Sequence, residues 1–176
     1  MMAWNKLYKR LFLKDKGLMF MEGIIHEDVL WNFQTSCLAQ SIHIVNIETY
    51  IYRVRTGSIT SNLSLRGDFS TYTTILIEMT RFAKVKGLLD KGVVYNIIQD
   101  FWYSIYVKMI PFRDLFLEFY SLQKKQMEFK WTNAVVINKF SVKNQIRDSH
   151  LLWPPQLAYY WIKTITAMVK WYKGNI

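Results

Sequence analysis

Residues 22–32 read Glu-Gly-Ile-Ile-His-Glu-Asp-Val-Leu-Trp-Asn, a glycine-containing loop that runs directly into a helix. Apolar residues then recur at helical spacing and define one face of that helix, namely Val29, Leu30, Phe33 and Cys37. The polar side chains of Asn32, Gln34 and Thr35 are predicted to point away from that face. The stretch therefore predicts a loop–helix junction with an acidic pair, Glu27 and Asp28, in the first turn.

Two short strands are predicted after this helix. Ile42–Ile47 is predicted to be a strand, and Thr49–Arg55 alternates between Tyr50, Tyr52 and Val54 on one face and Ile51, Arg53 and Arg55 on the other. The pair Gly57-Ser58 then marks a turn. On the other side of the junction, Leu7–Leu13 is predicted to be extended or a short helix. Residues 1–62 are therefore predicted to be a small α/β region.

The remainder, residues 63–176, is predicted to be a helical extension. Apolar residues recur at three- and four-residue spacing in two successive helices, one with Leu65, Phe69, Tyr72, Leu76, Met79 and Ala83, the other with Val94, Ile98, Phe101, Ile105 and Met109. Gly87 and the turn Asp90-Lys91-Gly92 end the first helix, and Pro111 ends the second. A third helix is predicted with four residues inward, Phe112, Leu115, Phe116 and Phe119.

The composition is that of a folded, basic protein. Hydrophobic residues make up 51% of the 176 residues and charged residues 20%, so the chain can bury a core and is not disordered. The formal net charge of +10 favours anionic partners such as nucleic acid, acidic lipid or phosphorylated substrates. The single cysteine, Cys37, excludes an internal disulfide framework and suits a cytoplasmic setting. No uninterrupted apolar stretch reaches the ~18 residues of a membrane-spanning helix.

The acidic pair Glu27 and Asp28 supports two interpretations. Acidic side chains at a helix start cap unpaired N–H groups and complement the helix dipole. A carboxylate held at a loop–helix junction can also accept a proton from a sugar hydroxyl as that hydroxyl attacks. The two roles can coexist, with Glu27 capping the helix while Asp28 faces a cleft.

Arg53 and Arg55 form a second candidate constellation. They are two residues apart on a predicted strand, so their guanidinium groups leave the same face. Arginine suits phosphate oxygens because it binds them through two parallel hydrogen bonds, and Gly57 allows close backbone approach. The alternative is an ordinary solvated strand face.

Other reactive residue types support weaker hypotheses. His26 adjoins the acidic pair, but no second ligand follows at a spacing typical of a metal site, so no metal site is predicted. Cys37 lies on an apolar helix face, which favours a core residue over a nucleophile. No phosphate-cradling glycine loop of the dinucleotide or P-loop type is present in the sequence.

Three stretches in this order, Trp4–Arg10, Glu22–Val29 and Tyr50–Thr60, resemble the later part of bacterial family 2 glycosyltransferases of surface-polysaccharide synthesis. The resemblance covers about residues 3–62. It implies part of a GT-A domain, which is Rossmann-like, followed by a variable helical extension. It also implies transfer of a sugar from a nucleotide-diphosphate sugar to a glycan or lipid-linked acceptor.

The resemblance also implies roles for individual residues. The aspartate of the Glu-Asp motif, here Asp28 beside Glu27, is the general base. Substrate or diphosphate binding falls on Arg53 and Arg55, with Lys6 and Trp31 in the same set. A divalent metal, Mg²⁺ or Mn²⁺, assists the intact family enzyme, and none is expected on this chain alone.

The sequence departs from the family in its donor half. The family begins with a strand that carries an aspartate for the nucleotide base and later has an Asp-x-Asp-like metal motif, and these residues contain neither. The expectation is therefore an acceptor-side fragment that is inactive without a donor half. Two other classes stay open: a basic, aromatic-rich nucleic-acid-binding module, for which no recognition motif is visible, and an inactive interaction remnant.

A final helix is predicted after Pro154-Pro155 and is amphipathic. Its apolar stripe comprises Leu157, Tyr160, Trp161, Ile165, Met168 and Tyr172, with Lys163, Lys170 and Lys173 on the opposite face. Lysines opposite aromatic and aliphatic residues are typical of a helix lying in an anionic lipid interface. Packing of the stripe on the protein's own helices is the commoner use of such a pattern. Both interpretations stay open, and residues 154–173 are the candidate contact with the inner face of the cell membrane.

Overall fold

The computed structural model describes residues 3, 5–51, 65–126 and 131–174, and it divides the chain into two compact units, residues 1–82 and 83–176. The first unit contains α1 (Arg10–Asp15), α2 (Glu27–Leu38) and most of α3 (Leu65–Val85). The second contains α4 (Gly92–Met109), α5 (Arg113–Gln126), α6 (Trp131–Ile137), α7 (Val142–Asp148), a 3-10 helix (Ser149–Leu152) and α8 (Pro155–Gly174).

The predicted α/β class, with its partial GT-A (Rossmann-like) region, is wrong, because every regular element in the described ranges is a helix. Ile42–Ile47, predicted as a strand, has no regular secondary structure, and its apolar side chains are exposed. An apolar run becomes a strand only when a second strand satisfies its backbone, and the described chain offers it none. Thr49–Ile51 is likewise irregular. The rest of that predicted strand lies outside the described residues.

Two glycines end helices in the same way. Gly17, after α1, and Gly87, after α3, have positive φ angles of 60° and 63°. After α3, the Gly87 N–H donates to the Lys84 carbonyl at 3.0 Å and the Leu88 N–H donates to the Ala83 carbonyl at 2.8 Å. This is the Schellman arrangement, which satisfies the last carbonyls of a helix and favours glycine. The prediction that Gly87 ends α3 is confirmed.

The core of the first unit lies along α2 and α3. Leu30 and Phe33 are buried as predicted, and the Phe33 ring meets Phe82 edge-on at 6.1 Å. Asn32 and Thr35, predicted to point away from the apolar face, are buried as well. The Thr35 hydroxyl is satisfied locally, since it donates to the Asn32 carbonyl at 3.1 Å.

Aromatic rings form the core of the second unit. Tyr106 is fully buried, with Phe116 at 5.2 Å, Tyr120 at 5.5 Å and Phe119 at 5.6 Å between ring centroids. The Tyr106 hydroxyl donates to the Gln123 side chain, so the polar end of the ring is paired. Phe116 and Phe119 point inward as predicted. Phe112, predicted inward, is 44% exposed because it precedes the first residue of α5.

A polar network joins α4, α6 and α7. Arg147 donates to Asp148 through Nε at 2.5 Å, and to Asp100 through Nη1 at 2.6 Å. Asp148 is fully buried and also accepts from Tyr95 at 3.2 Å and from Asn138 at 3.1 Å. The pKa of the Arg147 guanidinium is raised: burial alone would lower it, but the two carboxylates outweigh that effect.

His150 lies at the edge of that network and is fully buried among the Tyr103, Tyr106 and Tyr120 rings. Its Nδ1 is 2.6 Å from the Arg147 carbonyl oxygen. A carbonyl only accepts, so Nδ1 carries the hydrogen and Nε2 has the lone pair. Nε2 is buried and has no hydrogen-bond partner among the described residues.

The predicted helix after Pro154-Pro155 is confirmed as α8. Its inner face is narrow: Ala158, Tyr159 and Ile162 are buried, and the Tyr159 hydroxyl donates to the Ile110 carbonyl at 3.0 Å. Most of the predicted apolar stripe lies outside this buried face and is exposed. Across the described ranges, no helix combines the length and the apolar character that crossing a bilayer requires.

Candidate functional site

The candidate site lies at the start of α2, where the chain enters the helix in an unusual conformation. His26 precedes the helix with φ 64° and ψ 32°, in the left-handed region that few non-glycine residues occupy. No described side chain caps the helix there. Glu27 and Asp28 are therefore the first two helical residues, and they complement the helix dipole without capping N–H groups.

The Asp28 side chain is half-buried in the first turn of α2. No described residue donates a hydrogen bond to it or forms an ion pair with it, and the same holds for Glu27. Asp28 is held in place through its backbone, because its carbonyl accepts from the Asn32 side-chain amide at 2.7 Å. The backbone that carries the Asp28 carboxylate is therefore held, while the carboxylate oxygens accept no hydrogen bond from a described residue.

Asn32 connects α2 to the N-terminal stretch that contains Lys6 and Tyr8. It is fully buried, and its Oδ1 accepts from Lys6 Nζ at 2.9 Å and from the Tyr8 hydroxyl at 3.2 Å. Lys6, a predicted substrate-binding residue, is thereby brought to the helix that carries Asp28. Asn32 was not predicted to belong to this candidate site. Its position one helical turn after Asp28 could have indicated that the two residues lie together.

Trp31 lies behind the site. Its ring stacks on Phe20 at 4.6 Å and meets Tyr8 edge-on at 4.6 Å, and only 6% of the residue is exposed. Its Nε1 is buried, and no described residue accepts a hydrogen bond from it. Trp31 therefore packs α2 against Tyr8 and Phe20. Its predicted substrate contact stays a prediction.

His26 is the second buried, unsatisfied group at this end of α2. Its ring lies parallel to Tyr72 with 5.6 Å between centroids, and its Nε2 has no hydrogen-bond partner within the described ranges. A strained backbone and an unpaired ring nitrogen in one residue are typical of functional positions, although they do not specify a function. We refer to Lys6, Tyr8, His26, Asp28 and Asn32 as the α2 cluster.

Three predicted features are not tested by this geometry. Arg53 and Arg55, with the following Gly57-Ser58 turn, lie outside the described residues, as does Trp4. A divalent metal is implied by the resemblance, but no group of three or more His, Cys, Asp or Glu side chains suited to a metal ion occurs in the described ranges. The divalent metal implied for the intact family enzyme therefore stays a prediction.

Cys37, at the far end of α2, is half-buried and reduced. Burial raises the pKa of its thiol to about 11, so very little of the reactive thiolate form exists at neutral pH. This supports the interpretation of Cys37 as a packing residue.

Comparisons with known proteins gave no match that bears on these observations. No protein-family model, no curated protein and no solved structure matches the chain.

Proposed function

We propose that the α2 cluster is the acceptor side of a glycosyltransferase site, with Asp28 as the general base. The supporting observation is the contrast within the cluster. The Asp28 carboxylate has no partner among the described residues, whereas the residues behind it are anchored through the Lys6–Asn32 hydrogen bond. A positioned but unpaired carboxylate is what removal of a proton from a sugar hydroxyl requires.

In the proposed reaction, an acceptor hydroxyl transfers its proton to an Asp28 oxygen as the hydroxyl oxygen attacks the anomeric carbon of a nucleotide-diphosphate sugar. The new glycosidic bond forms while the bond from the anomeric carbon to the diphosphate oxygen breaks, and the nucleoside diphosphate leaves. The cationic side chains proposed to bind substrate or diphosphate are Lys6, Arg53 and Arg55. Glu27 has a supporting role beside the base.

The substrates follow from the resemblance in residues 3–62. The acceptor is a glycan or a lipid-linked sugar of surface-polysaccharide synthesis, and the reaction takes place in the cytoplasm, at the inner face of the cell membrane. The 176 residues contain no Asp-x-Asp motif, so recognition of the donor's nucleotide is assigned to residues other than those of this chain, while Arg53 and Arg55 contribute charge at the diphosphate.

The test is acceptor binding by the chain itself, measured by amide chemical shifts during titration with a panel of methyl hexosides. We expect shifts confined to residues 26–32. Asp28→Asn should weaken binding about tenfold or more, because a hydrogen bond to a charged group is lost. Glu27→Gln should weaken it less.

Asp114→Asn is the matched control, since Asp114 is an exposed acidic residue in the first turn of α5. Both substitutions remove one favourable charge from a helix start, so their effects on stability should be similar. Equal binding by the Asp28 and Asp114 variants, or shifts centred in the second unit, would refute the proposal.

A further inference from the structure

The helix α8 has a second apolar face that the described part of the second unit leaves uncovered. Opposite the buried Ala158 and Ile162, a continuous stripe turns outward and consists of Leu157, Tyr160, Trp161, Met168, Trp171 and Tyr172. Met168 is 64% exposed and Trp171 is 73% exposed. We call this stripe the α8 outer face. Exposed apolar surface of this extent marks an interaction site.

Neighbouring residues extend the α8 outer face at its N-terminal end. Trp153 lies 6.4 Å from Trp161 between ring centroids, and the preceding Leu152 is 52% exposed. Trp161 Nε1 donates to the Ser149 hydroxyl at 2.8 Å, which fixes its ring in this position. The N-terminal end of the surface is thus held in place by the packing and hydrogen bonding of Trp161.

The charge on this helix has one sign, and the rest of residues 83–176 carries a net positive charge. The 20 residues of α8 contain no aspartate or glutamate, and the exposed Lys163 and Lys170 lie along one flank of the outer face. Residues 83–176 contain 14 lysines and arginines against six aspartates and glutamates, so they carry +8 of the chain's +10. A surface that combines apolar rings with flanking lysines is complementary to lipid tails below anionic headgroups.

We propose that the α8 outer face is a docking surface for an anionic lipid bilayer, on which α8 lies parallel to the membrane plane. Leu157 and Met168 enter the acyl boundary. Tyr160, Trp161, Trp171 and Tyr172 lie at headgroup depth, because each has an apolar ring and a polar group. Lys163 and Lys170 contact lipid phosphates.

Co-sedimentation of the full chain with vesicles tests this proposal. We expect binding to phosphatidylglycerol-containing vesicles, weaker binding to pure phosphatidylcholine vesicles, and a decrease with added salt. Lys163→Gln and Lys170→Gln should each reduce partitioning about fivefold. Met168→Ser with Trp171→Ser should reduce it about tenfold or more.

The control pair is Val85→Ser with Val93→Ser, because both valines are 75% exposed in the second unit but lie outside α8. This pair should bind vesicles like the parent chain. All four positions are exposed, so the variants should stay folded, and circular dichroism checks this. Equal losses in both pairs, or equal binding to neutral and anionic vesicles, would overturn the proposal.

A direct measurement of depth distinguishes lipid from a second protein copy. A polarity-sensitive fluorophore on Met168→Cys, in a Cys37→Ala background, should shift to shorter wavelength with anionic vesicles, whereas the same fluorophore on Val93→Cys should not. Self-association of the lipid-free chain that Met168→Ser abolishes, without any vesicle-dependent shift, would overturn the proposal and make the face a dimer contact.

Discussion

Acid should destabilise the second unit through His150, and the structure shows which atom is responsible. The ring donates from Nδ1 to the Arg147 carbonyl, so an added proton must go to Nε2. Nε2 is buried without an acceptor among the described residues, so protonation would place an unpaired, charged N–H group there. The substitution His150→Asn removes this titration, and the asparagine amide can still donate to the same carbonyl.

The magnitude follows from the histidine pKa. Burial lowers the pKa of His150 from 6.5 to about 4. Because the folded pKa lies below the unfolded one, the neutral ring stabilises the folded state fully above pH 6.5, and this contribution is lost as the pH falls toward 4. Each pH unit in that window costs up to about 1.4 kcal/mol. The expected loss is about 1 kcal/mol by pH 5.5 and about 3 kcal/mol by pH 4.5.

Urea unfolding of the parent chain and of His150→Asn, measured across this pH range, provides the assay. Carboxylates titrate in both proteins, so the difference between their stabilities isolates His150. The gap should narrow by about 3 kcal/mol on acidification, and His43→Asn, at an exposed position, should follow the parent chain. Parallel stability curves for the parent and His150→Asn, or an NMR-determined His150 pKa near 6.5, would refute the argument.

Asp148→Asn should lower the free energy of unfolding by about 3 kcal/mol, because it leaves Arg147 buried with less charge compensation. Asp100→Asn, at a 70% exposed carboxylate, should lower it by about 1 kcal/mol or less. Equal losses in urea titrations would contradict this prediction. Gly87→Ala should lower the free energy of unfolding by about 1 kcal/mol in the same assay. No described atom lies within 4 Å of the added Cβ, so only the left-handed backbone conformation opposes the substitution. Unchanged stability would show that residue 87 does not need that conformation. Cys37 should react slowly with a thiol reagent at neutral pH and faster in urea, and equal rates would show that its thiol is not protected by burial.

The helical part of the fold was predictable because its signals are local. The apolar spacing of α3 and α4 and the stops at Gly87 and Pro111 depend on residues within a few positions of each other. The α/β prediction for residues 1–62 failed for the opposite reason. A strand depends on a partner elsewhere in the chain, and the alternation in Thr49–Arg55 carries no information about whether that partner exists.

The position of the acidic pair was also predictable from the local sequence. The acidic pair marks the start of α2, and Glu27 and Asp28 do occupy its first turn. The burial of Asn32 could not be predicted from helical spacing, because the residues that cover it, Lys6 and Tyr8, lie 26 and 24 positions earlier. The exposure of the α8 stripe also depended on tertiary structure, since spacing identifies an apolar face but not what covers it.

The side chain and backbone of Asn138 have a consequence for how the second unit opens. Its amide donates to Asp148 and accepts from Asn96 and Asn144, and its backbone carbonyl accepts from Gln145. The flanking helices α6 and α7 have seven residues each, too few to persist alone in water. Because Asn138 contacts both helices and α4, they should separate from α4 together, and their amide hydrogens should exchange with solvent in a single cooperative event rather than by fraying from each end.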